Sequence, residues 1–172
     1  MEYEIIYSKR KTISICVRGG SVVVKAPKRY PKKQIEKLVA KHEKWIVEHL
    51  AYEQKKEQLS LALTDERVKM LRKAAKEYFA EKTKEFSDLM GVKYGRITIT
   101  GAKTRFGSCS SAGNIAFSYR LMLYPEAARE YVVVHELAHI VELNHSKRFY
   151  AIVEKYLPDY KERKKLLEKI PL

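Results

Sequence analysis

The chain has 172 residues, 45% hydrophobic and 33% charged, a balance that suits a folded domain with a core of its own and excludes a disordered chain. No apolar run reaches the ~18 residues needed to span a bilayer, and the start, MEYEIIYSKRK, has no signal-peptide core, so a cytoplasmic protein without a membrane partner is expected. The formal net charge is +14, and it is unevenly placed: residues 1–60 carry 14 Lys and Arg against 7 Asp and Glu, residues 111–172 carry 10 against 8. Such a field attracts nucleotides, nucleic acid or acidic protein segments, although a solvated lysine-rich surface would look the same. The two cysteines, Cys16 and Cys109, fit a reducing compartment and make no disulfide framework.

Taken in chain order, YEIIYS, TISICVR and SVVVKAP read as three strands, the last two joined at the hairpin signal Gly19-Gly20. One long helix follows from Lys32 to Gln58, with Ile35, Leu38, Val39, Trp45, Ile46 and Leu50 as its apolar stripe, and LSLAL as a break after it. Thr64 is an N-cap followed by Asp65 and Glu66, with Leu63 and Val68 placed as a hydrophobic staple; that helix should reach Met90 and end at Gly91. RITIT (96–100) alternates like a strand, KTRFGSCSSAGN supplies a strand end and turn, and IAFSYRLML a further strand. Pro125 suits the first position of a helix running through Val141. Ser146 caps another to Leu157, stopped by Pro158, and a basic helix over 159–169 ends at Pro171. Strands, helices, a small sheet and more helices make an α+β protein, with an N-terminal region 1–60 and a catalytic region 61–172 in one compact unit.

The run EYVVVHELAHIVELNHSKRF (130–149) places three histidines and a glutamate among side chains meant for an interior, where polar groups cost several kcal/mol unless satisfied. His135 and His139 are four apart and share a helix face. With Glu136 between them they spell H-E-x-x-H, the pattern in which two imidazoles bind zinc and the glutamate acts as general base. In an unbroken helix His145 would be rotated about 120° from His139 and lie about 9 Å further on. It can join the same ion only if the helix ends, and Asn144, in the left-handed conformation, followed by Ser146 as a cap offers that end. Glu142 is the competing ligand, on the face of His135 but about 10 Å above it. Three protein ligands leave a position open for water, the mark of a catalytic zinc.

Here the sequence resembles the YgjP-like metallohydrolases, zinc metallopeptidases related to the SprT-like proteases. The likeness rests on SKRKTISI, Trp45-Ile46, RFGSCSSAGNIAFSYRLML and, above all, YVVVHELAHIVELNHSKRF through LPDY. It implies a zincin fold, a small mixed or antiparallel sheet beside the active-site helix, with Zn2+ held by His135, His139 and His145, Glu136 as base, and a peptide or protein substrate. The resemblance also carries a nucleoside-triphosphate pyrophosphatase activity toward UTP. Phe106 stands where the family has Trp before Gly-Ser-Cys. The histidine spacing is that of the metzincins, but Glu142 replaces their glycine and no methionine follows Met122, which marks a different zincin branch.

Lys103, Arg105 and Arg120 flank the site in sequence and are candidate substrate-binding residues, suited to phosphates. The strand GNIAFSYR is expected to pair with an extended peptide. Tyr119, Tyr124 and Tyr150 are candidates for stabilising an oxyanion. Cys109 reads as a small buried side chain rather than a ligand or nucleophile, and His42 and His49, seven apart, lack a third ligand. Three functions follow in order of preference: a zinc-dependent peptidase, a metal-dependent nucleotide hydrolase, and a basic nucleic-acid-associated module.

Overall fold

The computed structural model describes residues 1–168; the expected helix end at Lys169 and stop at Pro171 lie outside the described residues. The chain divides into one unit of Met1–Ala62 and another beginning at Leu63.

In the first unit, β1 (Glu4–Ser8), β2 (Ser14–Arg18) and β3 (Ser21–Pro27) form a sheet in the order β1-β3-β2. β1 runs parallel to β3, and β2 and β3 are the antiparallel hairpin. Its turn takes two successive positive φ values, 54° at Gly19 and 74° at Gly20, the conformation that matches the twist of the strands and that a side chain would resist. Alternate β3 residues Val22, Val24 and Ala26 are buried, and Ile35, Val39 and Ile46 complete the core.

Two helices replace the single one expected: α1 (Lys32–Lys41) and α2 (Glu43–Leu61), separated at His42, whose φ of −105° and ψ of 15° leave the helical region. The bend falls between Val39 and Ile46, and both remain in the core. The break expected at LSLAL comes at its end. α2 continues through Leu61, three residues past the expected Gln58, because leucine is a strong helix former, and the chain leaves the helix at Ala62 before Thr64 caps the next one.

The second unit starts with α3 (Asp65–Met90), capped as expected: Thr64 Oγ1 accepts from the N–H of Arg67 at 3.3 Å, and Gly91 ends the helix with a φ of 66°. β4 (Ile97–Thr100), β5 (Gly107–Cys109) and β6 (Ile115–Ser118) make a mixed sheet in the order β4-β6-β5. β4 is parallel and β5 antiparallel to β6. Phe117 of β6 stacks on Phe79 of α3 with centroids 4.4 Å apart, and both are fully buried.

The strand expected over 115–123 stops at Ser118, and Tyr119–Leu123 form a 3₁₀ turn. Ser118 Oγ accepts from the N–H of Arg120 and donates to the carbonyl of Ala102 at 2.8 Å, so a side-chain cap takes over where the ladder ends. Tyr119 and Leu121 are buried and Arg120 only partly so, which explains the strand-like alternation in the sequence.

α4 (Glu126–Val141) carries the H-E-x-x-H segment, with Pro125 as the residue before the helix rather than its first. Ala128, Tyr131, Val132, Val133, Val134, Leu137 and Ala138 are all buried, so three consecutive valines, poor helix formers by propensity, are held helical by burial on nearly every side. α5 (Lys147–Tyr156) and α6 (Tyr160–Glu168) pack against α4. The small mixed sheet beside the histidine-bearing helix is the α+β arrangement expected. No helix among the described residues is long and apolar enough to cross a membrane.

Candidate metal centre

α4 ends at Val141, Glu142 is extended (φ −138°, ψ 109°), and Ser146 starts α5 by accepting from the N–H of Phe149 at 3.3 Å. The turn between them uses no left-handed residue: every positive φ in the described chain belongs to glycine. The expected left-handed Asn144 is therefore corrected. Its carbonyl instead accepts from the N–H of Ser146 at 2.7 Å, and an extended Glu142 with this short turn swings His145 back over α4.

The result is a cluster of three imidazoles. His145 Nε2 lies 3.0 Å from His135 Nε2, and one nitrogen from each of His135, His139 and His145 falls within 4.8 Å of the others. Two nitrogens bound tetrahedrally at about 2.0–2.1 Å from a zinc ion stand roughly 3.3 Å apart, so the observed approach suits a shared ion. This is the one cluster of three metal-ligating side chains found among the described residues. Burial, first, and then the neighbouring imidazoles and Lys164 push His135 down to about 3, and burial also lowers His139. Both rings are thus neutral at pH 7, with lone pairs available to a metal.

The rings are held from behind. His139 Nδ1 donates to the carbonyl of Glu142 at 3.2 Å, leaving Nε2 as the acceptor, which is how ligating imidazoles are usually oriented. Tyr131 Oη lies 3.5 Å from His135 Nδ1. Phe149, fully buried, sits beneath all three, its ring centroid 4.9, 4.5 and 4.8 Å from those of His135, His139 and His145. Glu142 stays outside the cluster: its carboxylate is 3.8 Å from Arg148 Nε, and its carbonyl serves His139.

Glu136 is 5% exposed. Burial pushes its carboxyl up to about 8, opposed by the charge of Arg105. It lies against β5, where a β-carbon added to Gly107 would stand 2.5 Å from Glu136 Oε1. The register of β5 on β6, with Ser118 N–H donating to Phe106 and Ser110 N–H to Asn114, turns the backbone groups of Gly107 and Cys109 away from β6. β5 is thus an edge strand beside Glu136. The expectation that GNIAFSYR offers the peptide-pairing edge is corrected, because its strand β6 is the middle one.

A cavity of about 370 Å³ opens beside the cluster, lined by Arg105, Phe106, Gly107, Tyr131, His135, Glu136, Lys164, Leu167 and Glu168. Of the three cations singled out by sequence, only Arg105 lines it. Lys103 is exposed elsewhere on the loop, and the Arg120 guanidinium lies 5.5 Å from the centre of the Tyr119 ring. Lys164 was not singled out. Tyr119 and Tyr124 are buried in the core, the latter edge-on to Phe106, and the Tyr150 ring centroid is 6.2 Å from that of His145. Tyr131, four residues before His135 on the same face, is the tyrosine at the cluster, and helix spacing alone could have found it. Cys109 donates weakly to the carbonyl of Ser110, and burial together with Glu136 raises its thiol pKa, so it stays a protonated thiol. His49 stacks on Trp45 at 3.9 Å rather than pairing with His42.

The model of the YgjP-like metallopeptidase domain matches residues 11–68 and 53–170. The chain belongs to this family. Two solved structures of metallopeptidase zymogens are similar to it. Abylysin of Pyrococcus abyssi shares 24% identity at a TM-score of 0.49, over 53% of this chain and 92% of its own. Jannalysin of Methanocaldococcus jannaschii shares 21% at 0.47, over 53% of this chain and 95% of its own. No curated protein matches the sequence. A metallopeptidase family implies a metal ion, and the cluster of His135, His139 and His145 could hold one.

Proposed function

We propose that the chain is a zinc-dependent peptidase in which His135, His139 and His145 hold the ion and Glu136 is the general base. The observation that carries this reading is the convergence of three imidazole nitrogens within 4.8 Å, next to a buried carboxyl and an edge strand. Nitrogen ligands of this kind suit zinc. Bound zinc would supply Lewis acidity and a lowered pKa of water, toward ~7.

The remaining work falls to this chain. Glu136, pressed against Gly107, takes the proton from the attacking water and returns it to the leaving amine. The outward N–H and C=O groups of Gly107 and Cys109 give an extended substrate main-chain partners, as edge strands do. Tyr131 and the Glu142 carbonyl keep the imidazoles oriented.

The test combines metal analysis of the purified protein with a casein, peptide and UTP panel, using Glu136→Gln as control. Expected are one zinc per chain and peptide cleavage that falls by about 10²–10⁴ in Glu136→Gln while zinc is kept. Hydrolysis of UTP with no cleavage of any peptide would overturn the peptidase reading.

A further inference from the structure

We propose that Arg105 and Lys164 form a clamp for a carboxylate of the peptide substrate, so that the cavity beside Glu136 selects acidic side chains or a free C-terminus. This rests on the peptidase reading and specifies its substrate. Arg105 comes from the loop before β5 and Lys164 from α6, and they meet only in the walls of this cavity.

Neither cation makes a hydrogen bond or ion pair with another described residue, whereas the neighbouring Arg163 makes both. Arg163 donates to Glu130 at 2.6 Å and to Asp159 at 2.8 Å, and Glu130 is also 3.4 Å from Lys82 of α3. That half-buried network fastens α6 to α4 and sets the position of Lys164, one residue on. Arg105 and Lys164 line the same cavity as Glu136 and His135, which places both cations beside the reacting groups.

Phe106, Tyr131 and Leu167 supply apolar wall between the two cations. An anion entering there gains two charge-assisted partners beside that apolar wall. Glu168 also lines the cavity and works against an anion, so the preference depends on Arg105 and Lys164 together outweighing it. A carboxylate, planar and small, suits a guanidinium on one side and an ammonium on the other.

Binding is read on the full-length, zinc-loaded Glu136→Gln variant, so that the result does not depend on turnover. Fluorescent peptides are compared in matched pairs: Glu against Gln and Asp against Asn within the sequence, and a free against an amidated C-terminus. Expected is tighter binding of at least one carboxylate member by about tenfold or more; which pair responds identifies a side chain or a chain end. The preference should vanish in Arg105→Ala and Lys164→Ala, both exposed positions, and turn toward Lys-bearing peptides in Lys164→Glu. Equal binding within every pair overturns the clamp while leaving the peptidase reading intact if the wild-type chain cleaves peptides. UTP binding more tightly than any acidic peptide, and weakened by the same two alanines, reassigns the cations to phosphate and overturns it as well.

Discussion

Gly107 and Glu136 are packed so closely that no other residue fits at position 107 without moving the carboxyl. An added β-carbon would approach Glu136 Oε1 to 2.5 Å and its Cγ and Cδ to 2.9 Å. Gly107 has no positive φ, so alanine would be admissible to the backbone and its effect would fall on Glu136. In Gly107→Ala, kcat for peptide cleavage is expected to fall about a hundredfold, the scale set by displacing a reacting group by about 1 Å, with zinc content unchanged. Full activity in this variant would show that the carboxyl does not need its observed place.

Tyr131 and Glu142 make opposite predictions about metal affinity. Tyr131→Phe removes the hydroxyl 3.5 Å from His135 Nδ1, and loss of such an orienting partner weakens metal binding by about 10–100-fold. Glu142→Ala keeps the carbonyl that orients His139 and discards only a carboxylate already near Arg148, so affinity should hold. Competition with a chromophoric chelator measures both. A large loss in Glu142→Ala would restore that carboxylate as a ligand.

The contrast between these residues shows what could be read ahead of the fold. His135, Glu136 and His139 were legible because helical spacing alone puts two imidazoles on one face, and Thr64, Gly91 and Ser146 because caps are local chemistry. His145 was legible as a requirement, but the device differs, an extended Glu142 in place of a left-handed Asn144. Gly107, Phe149 and Lys164 were not legible. Gly107 and Lys164 reach the site from a strand and a helix distant in the chain, and Phe149 only because the turn after α4 folds α5 back beneath the histidines. No periodicity announces them. The strand expected through Leu123 failed because alternating burial in a 3₁₀ turn mimics the period of a strand.

Phe149 joins the stability of the fold to the metal centre. It is fully buried and touches the rings of all three histidines. Phe149→Ala should lose about 3–5 kcal/mol of stability and loosen the imidazoles together, so zinc affinity falls as well. Ser146→Ala, which removes only the cap 3.3 Å from the Phe149 N–H, should cost about 1 kcal/mol. Urea unfolding with and without zinc separates the two effects; a Phe149→Ala variant of normal zinc affinity would show that the ring does not support the cluster.

In the metal-free chain, stability should peak in mildly acidic solution and decline on either side, for reasons that belong to two different residues. Glu136 has its carboxyl raised from 4.5 to about 8 by burial. Between those values the folded chain keeps a proton that the unfolded chain has released, so stability falls as pH rises through the window. His135, lowered from 6.5 to about 3, acts in the opposite direction: as pH falls from 6.5, the unfolded chain takes up a proton that the folded chain refuses, and stability drops. The Glu136 effect amounts to a few kcal/mol across its range. Glu136→Gln should therefore flatten the decline between about pH 6.5 and 8, where His135 no longer opposes it, while leaving the decline on the acid side. Urea midpoints of both proteins, measured in chelator across that range, check it. Added zinc should shrink the wild-type slope, because a cation beside the carboxyl favours its charged form. Parallel curves for wild type and Glu136→Gln above pH 5 would mean that Glu136 is already ionised in the folded chain.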